Sequence, residues 1–199
     1  MKNFQKLSIA VVVLSAFFAT TSAVRAAAIT TTADPLLTGS TIIDFTEAPV
    51  GTTDPTIGNV SFTGETGPVR ITTVIPGALD NHTTTSFGTN FDISFALPVS
   101  AFGMDFIAVN SDTIIQAFDV FDTLLGTTTL FSGGPSVSGF LGLGGFASSI
   151  ASAKILTTDF LLISNFHYVT AASVPEAGTL ALFGLGLAGL GLMRRRRTA

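Results

Sequence analysis

Short runs in which every second residue is apolar, each closed by Gly, Pro, Asn or Asp, set the strongest limit on what this chain can fold into. Phe91, Ile93, Phe95 and Leu97 fall on one side of such a run, with Asp92, Ser94 and Ala96 on the other. A period of two marks a strand with one buried face. Phe102, Met104 and Phe106 repeat it before a turn at Asn110-Ser111-Asp112. Further runs lie at residues 41–45, 59–63, 114–121, 124–131, 150–157 and 160–169, with no convincing amphipathic helix among them. Between Ala27 and Ser173 stand 25 Thr and 14 Phe, residue types that suit a pleated, half-buried surface. At 199 residues the chain has room for one domain and terminal appendages. The expected fold is all-β: a single antiparallel β-sandwich of jelly-roll type, built from about eight strands.

The two ends follow another grammar. Lys2 and Lys6 precede an apolar run at residues 7–19, shorter than the ~20 residues of a membrane span. Small residues follow, so residues 1–28 read as a secretory signal peptide. Val24 and Ala26, or Ala26 and Ala28, supply the small side chains that a cleavage site requires. The mature chain is then expected to begin at Ala27 or Ile29, after export by the Sec machinery and cutting by signal peptidase. Residues 29–173 form the extracytoplasmic domain. At the far end, residues 178–193 carry no charge and would run about 24 Å as a transmembrane helix, close to the ~30 Å hydrocarbon core. Arg194, Arg195, Arg196 and Arg197 follow at once and stay cytoplasmic, which leaves the domain outside. Pro175 cannot continue a helix upstream and marks the boundary.

The motif Val174-Pro175-Glu176-Ala177, the Gly/Leu/Ala-rich segment from Thr179 to Leu187 and the four terminal arginines together resemble the PEP-CTERM sorting signal. That signal is found on exported proteins of exopolysaccharide-producing Gram-negative bacteria. Ala177 stands where the family pattern has a second proline. The resemblance implies recognition at residues 174–177 by an exosortase, with the arginines as the stop and retention element. It also implies an inner-membrane precursor with a periplasmic domain, and later residence at the cell surface or in the extracellular matrix. Exopolysaccharide or another glycan is the implied partner. The segment order is similar to that of exported β-sandwich domains beside such tails, through Asp44-Phe45, Phe102-Gly103-Met104-Asp105-Phe106, Phe140-Leu141-Gly142 and Asn165-Phe166-His167-Tyr168.

Charge excludes one large class. Only Arg70 and Lys154 stand against twelve acids from Asp34 to Asp159, a net charge near −10 (2 − 12). Nucleic acid requires clustered Lys and Arg, so no such partner is expected. Catalysis lacks parts: the histidines are His82 and His167, there is no cysteine, and Gly134-Pro135-Ser136-Val137-Ser138 misses the last glycine of a nucleophile elbow. His167 reads as structural. Asp119 and Asp122 are the kind of pair a glycosidase uses, though surface turns explain them more simply. Gly142-Leu143-Gly144-Gly145 and Gly184-Leu185-Gly186 imitate a dinucleotide loop, but no βαβ unit surrounds either. No cofactor is required. Ca²⁺ is the one ion with a ligand set to consider, namely Asp44, Glu47, Asp80 and Asn81 at a sandwich edge; solvated turns explain the same residues. The chain lacks Trp and has one Tyr, which leaves few rings for sugar stacking. Together these features describe a non-enzymatic, exosortase-sorted surface or matrix protein whose sandwich associates with exopolysaccharide. The alternative is a Ca²⁺-supported glycan-active enzyme using an Asp/Glu pair. If repulsion governs the acids, the domain should melt higher at mildly acid pH than at neutral pH.

Overall fold

The computed structural model describes residues 27–72, 75, 77–81, 90–109, 111–131 and 137–172. The signal peptide up to Arg25 and Ala26, the sorting tail from Ser173 onward, and His82 all lie outside the described residues. Among the described residues, twelve strands join in one hydrogen-bonded network. In chain order they are β1 (Ala27–Ile29), β2 (Thr41–Ile43), β3 (Thr56–Ile57), β4 (Val60–Gly64), β5 (Arg70–Ile71) and β6 (Leu79–Asp80). Then come β7 (Phe91–Val109), β8 (Thr113–Phe118), β9 (Leu124–Leu130), β10 (Val137–Gly144), β11 (Ile150–Leu156) and β12 (Leu161–Thr170). All pairings between them are antiparallel. Among the described residues the helical content is one 3₁₀ turn, Pro35–Leu37, capped by the Asp34 side chain.

β7 organises the rest. The two alternating runs expected as separate strands form one 19-residue strand that changes layer midway. Its first half pairs with β4 and β11, and its second half with β10 and β12. β8 and β9 extend the first layer past β11, while β1 extends the second past β10. The halves face each other through aromatic contacts. Phe95 lies 5.8 Å from Phe102 and 6.1 Å from Phe166, and Phe62 meets Phe166 edge-on at 5.4 Å. These rings close two layers over one core, in which Phe45, Phe62, Phe91, Phe102, Phe106 and Phe166 are fully buried. Each such side chain contributes roughly 1.5–3 kcal/mol on leaving water.

The bend falls at residues 97–100. Pro98 has no N–H for a ladder, and its carbonyl instead accepts from Ala171 N–H at 2.9 Å. Leu97 is inward by the period but sits on the bend, where it is 52% exposed. At the other limit of the molecule the two ends of β7 come together around Thr157. Asn90 Oδ1 accepts from Thr157 N–H at 3.0 Å, and Ser111 Oγ lies 3.1 Å from Thr157 Oγ1. The strand therefore doubles back, giving the molecule a bend pole and a far pole.

Three departures from the expected strands have local causes. The run at 41–45 stops at Ile43, because Asp44 turns the chain through hydrogen bonds to Thr46. Phe45 then takes a positive φ of 58° that drops its ring into the core against Phe62. β10 lies outside the expected runs because its glycines interrupt the alternation; a Cβ on Gly142 would stand 2.1 Å from the Phe102 carbonyl oxygen. β1, β3, β5 and β6 hold two or three residues each, too few to display a period.

Candidate functional site

The residues considered for Ca²⁺ fall in two segments, one after β2 and one at β6, that both border β12. Asp44 Oδ1 accepts from Thr46 N–H (3.0 Å) and Thr46 Oγ1–H (2.7 Å), which holds its carboxyl below the ordinary range. Glu47 borders a shallow groove with Pro49 and Pro55. Asp80 is buried and faces Arg70 across 3.8 Å. Asn81 is 1% exposed; its Oδ1 accepts from Leu161 N–H (2.8 Å) and its Nδ2 donates to Asp159 O (3.1 Å). It ties the end of β6 to the start of β12. Among the described residues, no group of three or more His, Asp or Glu is placed to hold a metal ion.

Asp119 and Asp122 share the β8–β9 turn. Asp119 Oδ1 accepts from the N–H groups of Phe121 and Thr123, both at 2.9 Å, and these bonds lower its carboxyl. His167 is buried, edge-on to Phe140 at 5.5 Å, with Nδ1 3.5 Å from Ser40 Oγ. Burial pushes its pKa below the ordinary 6.5. Lys154, in β11, is ion-paired with Glu65 and lies 3.9 Å from Asp92. The Lys154 hydrogen bond lowers Glu65, whereas burial raises Asp92. No buried side-chain polar atom among the described residues lacks a hydrogen-bond partner.

The strand register brings both ends of the described chain to the bend pole. Ala27 pairs with Gly144, Gly144 with Ala101, and Ala101 with Val169, so these four form one row across the second layer. At ~4.8 Å per strand, Ala27 and Val169 stand about 14 Å apart. β1 runs away from this pole and β12 runs toward it. The described ends, Ala27 and Ala172, consequently lie on the same side of the domain. Beside them lies an open cleft of about 770 Å³, lined by Leu97, Pro98 and Ser100 of the bend, by residues 146–149 and by residues 170–172. None of the lining side chains is charged. A second row, Phe118–Ser152–Ser94, shows that β8 also runs toward the bend pole. The β8–β9 turn accordingly carries Val120 (72% exposed) and Phe121 (85% exposed) to that side. Nothing in the sequence signals this convergence, because it depends on long-range register.

Residues 173–197 match the PEP-CTERM protein-sorting motif. The chain therefore carries the mark of an exosortase substrate, and the motif implies export and exosortase-mediated sorting to the cell surface. The chain matches no curated protein. Among solved structures it is similar to a family 29 carbohydrate-binding module, at 12% identity, over 76% of this chain and 99% of that one, with a TM-score of 0.45. It is also similar to a family 6 carbohydrate-binding module (14% identity, 66% and 94% covered, TM-score 0.32). A third is the family 32 module from C. perfringens NanJ in complex with galactose (17% identity, 65% and 98% covered, TM-score 0.36). None of these assigns a ligand to this chain. Among the described residues no helix is long and apolar enough to cross a membrane; the expected span, residues 178–193, lies outside them.

Proposed function

We propose that the chain is an exported precursor whose β domain is delivered by an exosortase to the cell surface or extracellular matrix, where it is a non-enzymatic binding or structural module associated with exopolysaccharide. The match of residues 173–197 to the sorting motif carries this reading. The signal peptide within residues 1–28 directs export and is removed by signal peptidase, after Ala26 or after Ala28. Residues 178–193 hold the precursor in the inner membrane of a Gram-negative bacterium, with residues 29–173 in the periplasm and Arg194 to Arg197 in the cytoplasm. Val174, Pro175 and Glu176, followed by Ala177, are the exosortase's recognition element. The burial of His167, edge-on to Phe140, supports a module without catalysis. The glycan partner rests on the resemblance of the tail.

The mass and location of the chain, followed with and without the exosortase, test the sorting step. The expected result is loss of the apolar tail and arrival at the surface only when the enzyme is present. An unchanged mass and location in both strains would overturn the proposal. Incubation of the processed protein with the host exopolysaccharide tests the module: retention without release of sugar fragments is expected. Turnover abolished by a single Asp→Asn change would establish an enzyme instead.

A further inference from the structure

We propose that the bend pole is a lipid-contacting surface, which lies against the headgroup layer of the membrane until the exosortase cuts the tail. This deepens the sorting reading and rests on residues 178–193 being the membrane segment.

Reach is the first argument. Residues 173–177 are all that separates Ala172 from that segment, and this link spans at most about 20 Å when fully extended. β12 ends at the bend pole, so this pole is the part of the domain that the tether holds within that distance of the bilayer. Before signal-peptide removal, the chain preceding Ala27 tethers the same pole from about 14 Å away, and two tethers fix its orientation.

Chemistry is the second argument. The domain carries a net charge near −10 (2 − 12), and anionic lipids repel acids. Yet the cleft at this pole is lined without a single charge, and the acids there, Asp119 and Asp122, are confined to the β8–β9 turn. Leu97, Val120 and Phe121 project there as exposed apolar side chains, the type that enters the boundary between headgroups and acyl chains. Asp119 fixes the turn that presents Phe121, through its bonds to the Phe121 and Thr123 N–H groups. With the pole against lipid, the exosortase meets its motif along the membrane plane, and cleavage frees the domain from contact.

The chain has no cysteine, so a single introduced thiol reports one position. Leu97→Cys and Phe121→Cys label the bend pole. Phe131→Cys labels the far pole, because β9 runs from Leu124 opposite Phe118 to Leu130 opposite Thr113. All three positions are exposed. Each full-length variant, prepared without the exosortase so that the tail remains, is labelled with an environment-sensitive fluorophore. It is then inserted in nanodiscs containing headgroup-spin-labelled lipid. Quenching at positions 97 and 121, and none at 131, is the expected result. Equal quenching at all three, or none at 97 and 121 in a chain whose tail has inserted, overturns the proposal. A chain that stays out of the nanodiscs overturns the membrane reading itself, so the two failures are told apart.

Discussion

A Cβ on Gly142 would stand 2.1 Å from the Phe102 carbonyl oxygen and 2.5 Å from Gly103 Cα. Backbone cannot swing aside as a side chain can, so Gly142→Ala is expected to cost about 1–3 kcal/mol. Gly139 lies on the same strand, but its Cβ would meet Leu130 Cδ1 at an ordinary 3.7 Å. Gly139→Ala is therefore expected to be neutral, or to stabilise by about 0.4–1 kcal/mol through the unfolded chain. Equal losses for both in denaturant titration would show that β10 does not need its close approach to β7. Asn81 makes a parallel point about legibility. A buried asparagine that bonds backbone and one that ligates calcium both look like oxygen-rich turn residues in sequence. The contacts here assign it to Leu161 N–H and Asp159 O. Asn81→Ala leaves both without that partner and is expected to cost about 1–3 kcal/mol, seen as a lowered Tm.

At the scale of elements, the runs with a clear period were readable and the short or glycine-rich ones were not. Phe91, Ile93 and Phe95, and likewise Phe102, Met104 and Phe106, are all buried as their alternation requires. Their union into one bent strand is not readable, since Pro98 looks like a strand end when only its neighbours are considered. β1 is the most consequential strand that the period missed. Cutting after Ala28 would remove Ala27 and Ala28 with their pairing to Gly144 and Leu143, whereas cutting after Ala26 keeps the strand whole. The mature N-terminus is therefore expected at Ala27, which the mass of the exported chain decides. A terminus at Ile29 would show that β1 is dispensable to the folded domain.

For the whole molecule, a net charge near −10 (2 − 12) would make acid stabilise if repulsion governed the acids, whereas the local environments of the shifted groups favour the opposite sign. Only Asp92 among the shifted carboxyls is raised, and burial rather than repulsion is the first cause. Asp44 and Asp119 are lowered by hydrogen bonds within their own turns, and Glu65 by Lys154. Their contribution is present above the unfolded carboxylate values and is lost as pH falls through the lower folded ones. His167 acts in the same direction: its folded pKa lies below 6.5, so the unfolded chain takes up the proton first and stability declines as pH drops from there. Thermal melts at about pH 7.5, 5.5 and 3.5 should give a Tm that falls at each step. A rise between the first two would restore repulsion as the dominant effect. The way β12 is embedded has a mechanical consequence. It pairs with β7 at eight positions on one flank and with β2 and β6 on the other. A molecule fastened to a surface by its C-terminus passes any tug on its body into β12 along the strand axis. Force in that direction loads the transverse hydrogen bonds together, in shear. A tug on β1 would load only its three pairs with β10. The end by which the protein is sorted is thus the end that spreads tension across the sheet.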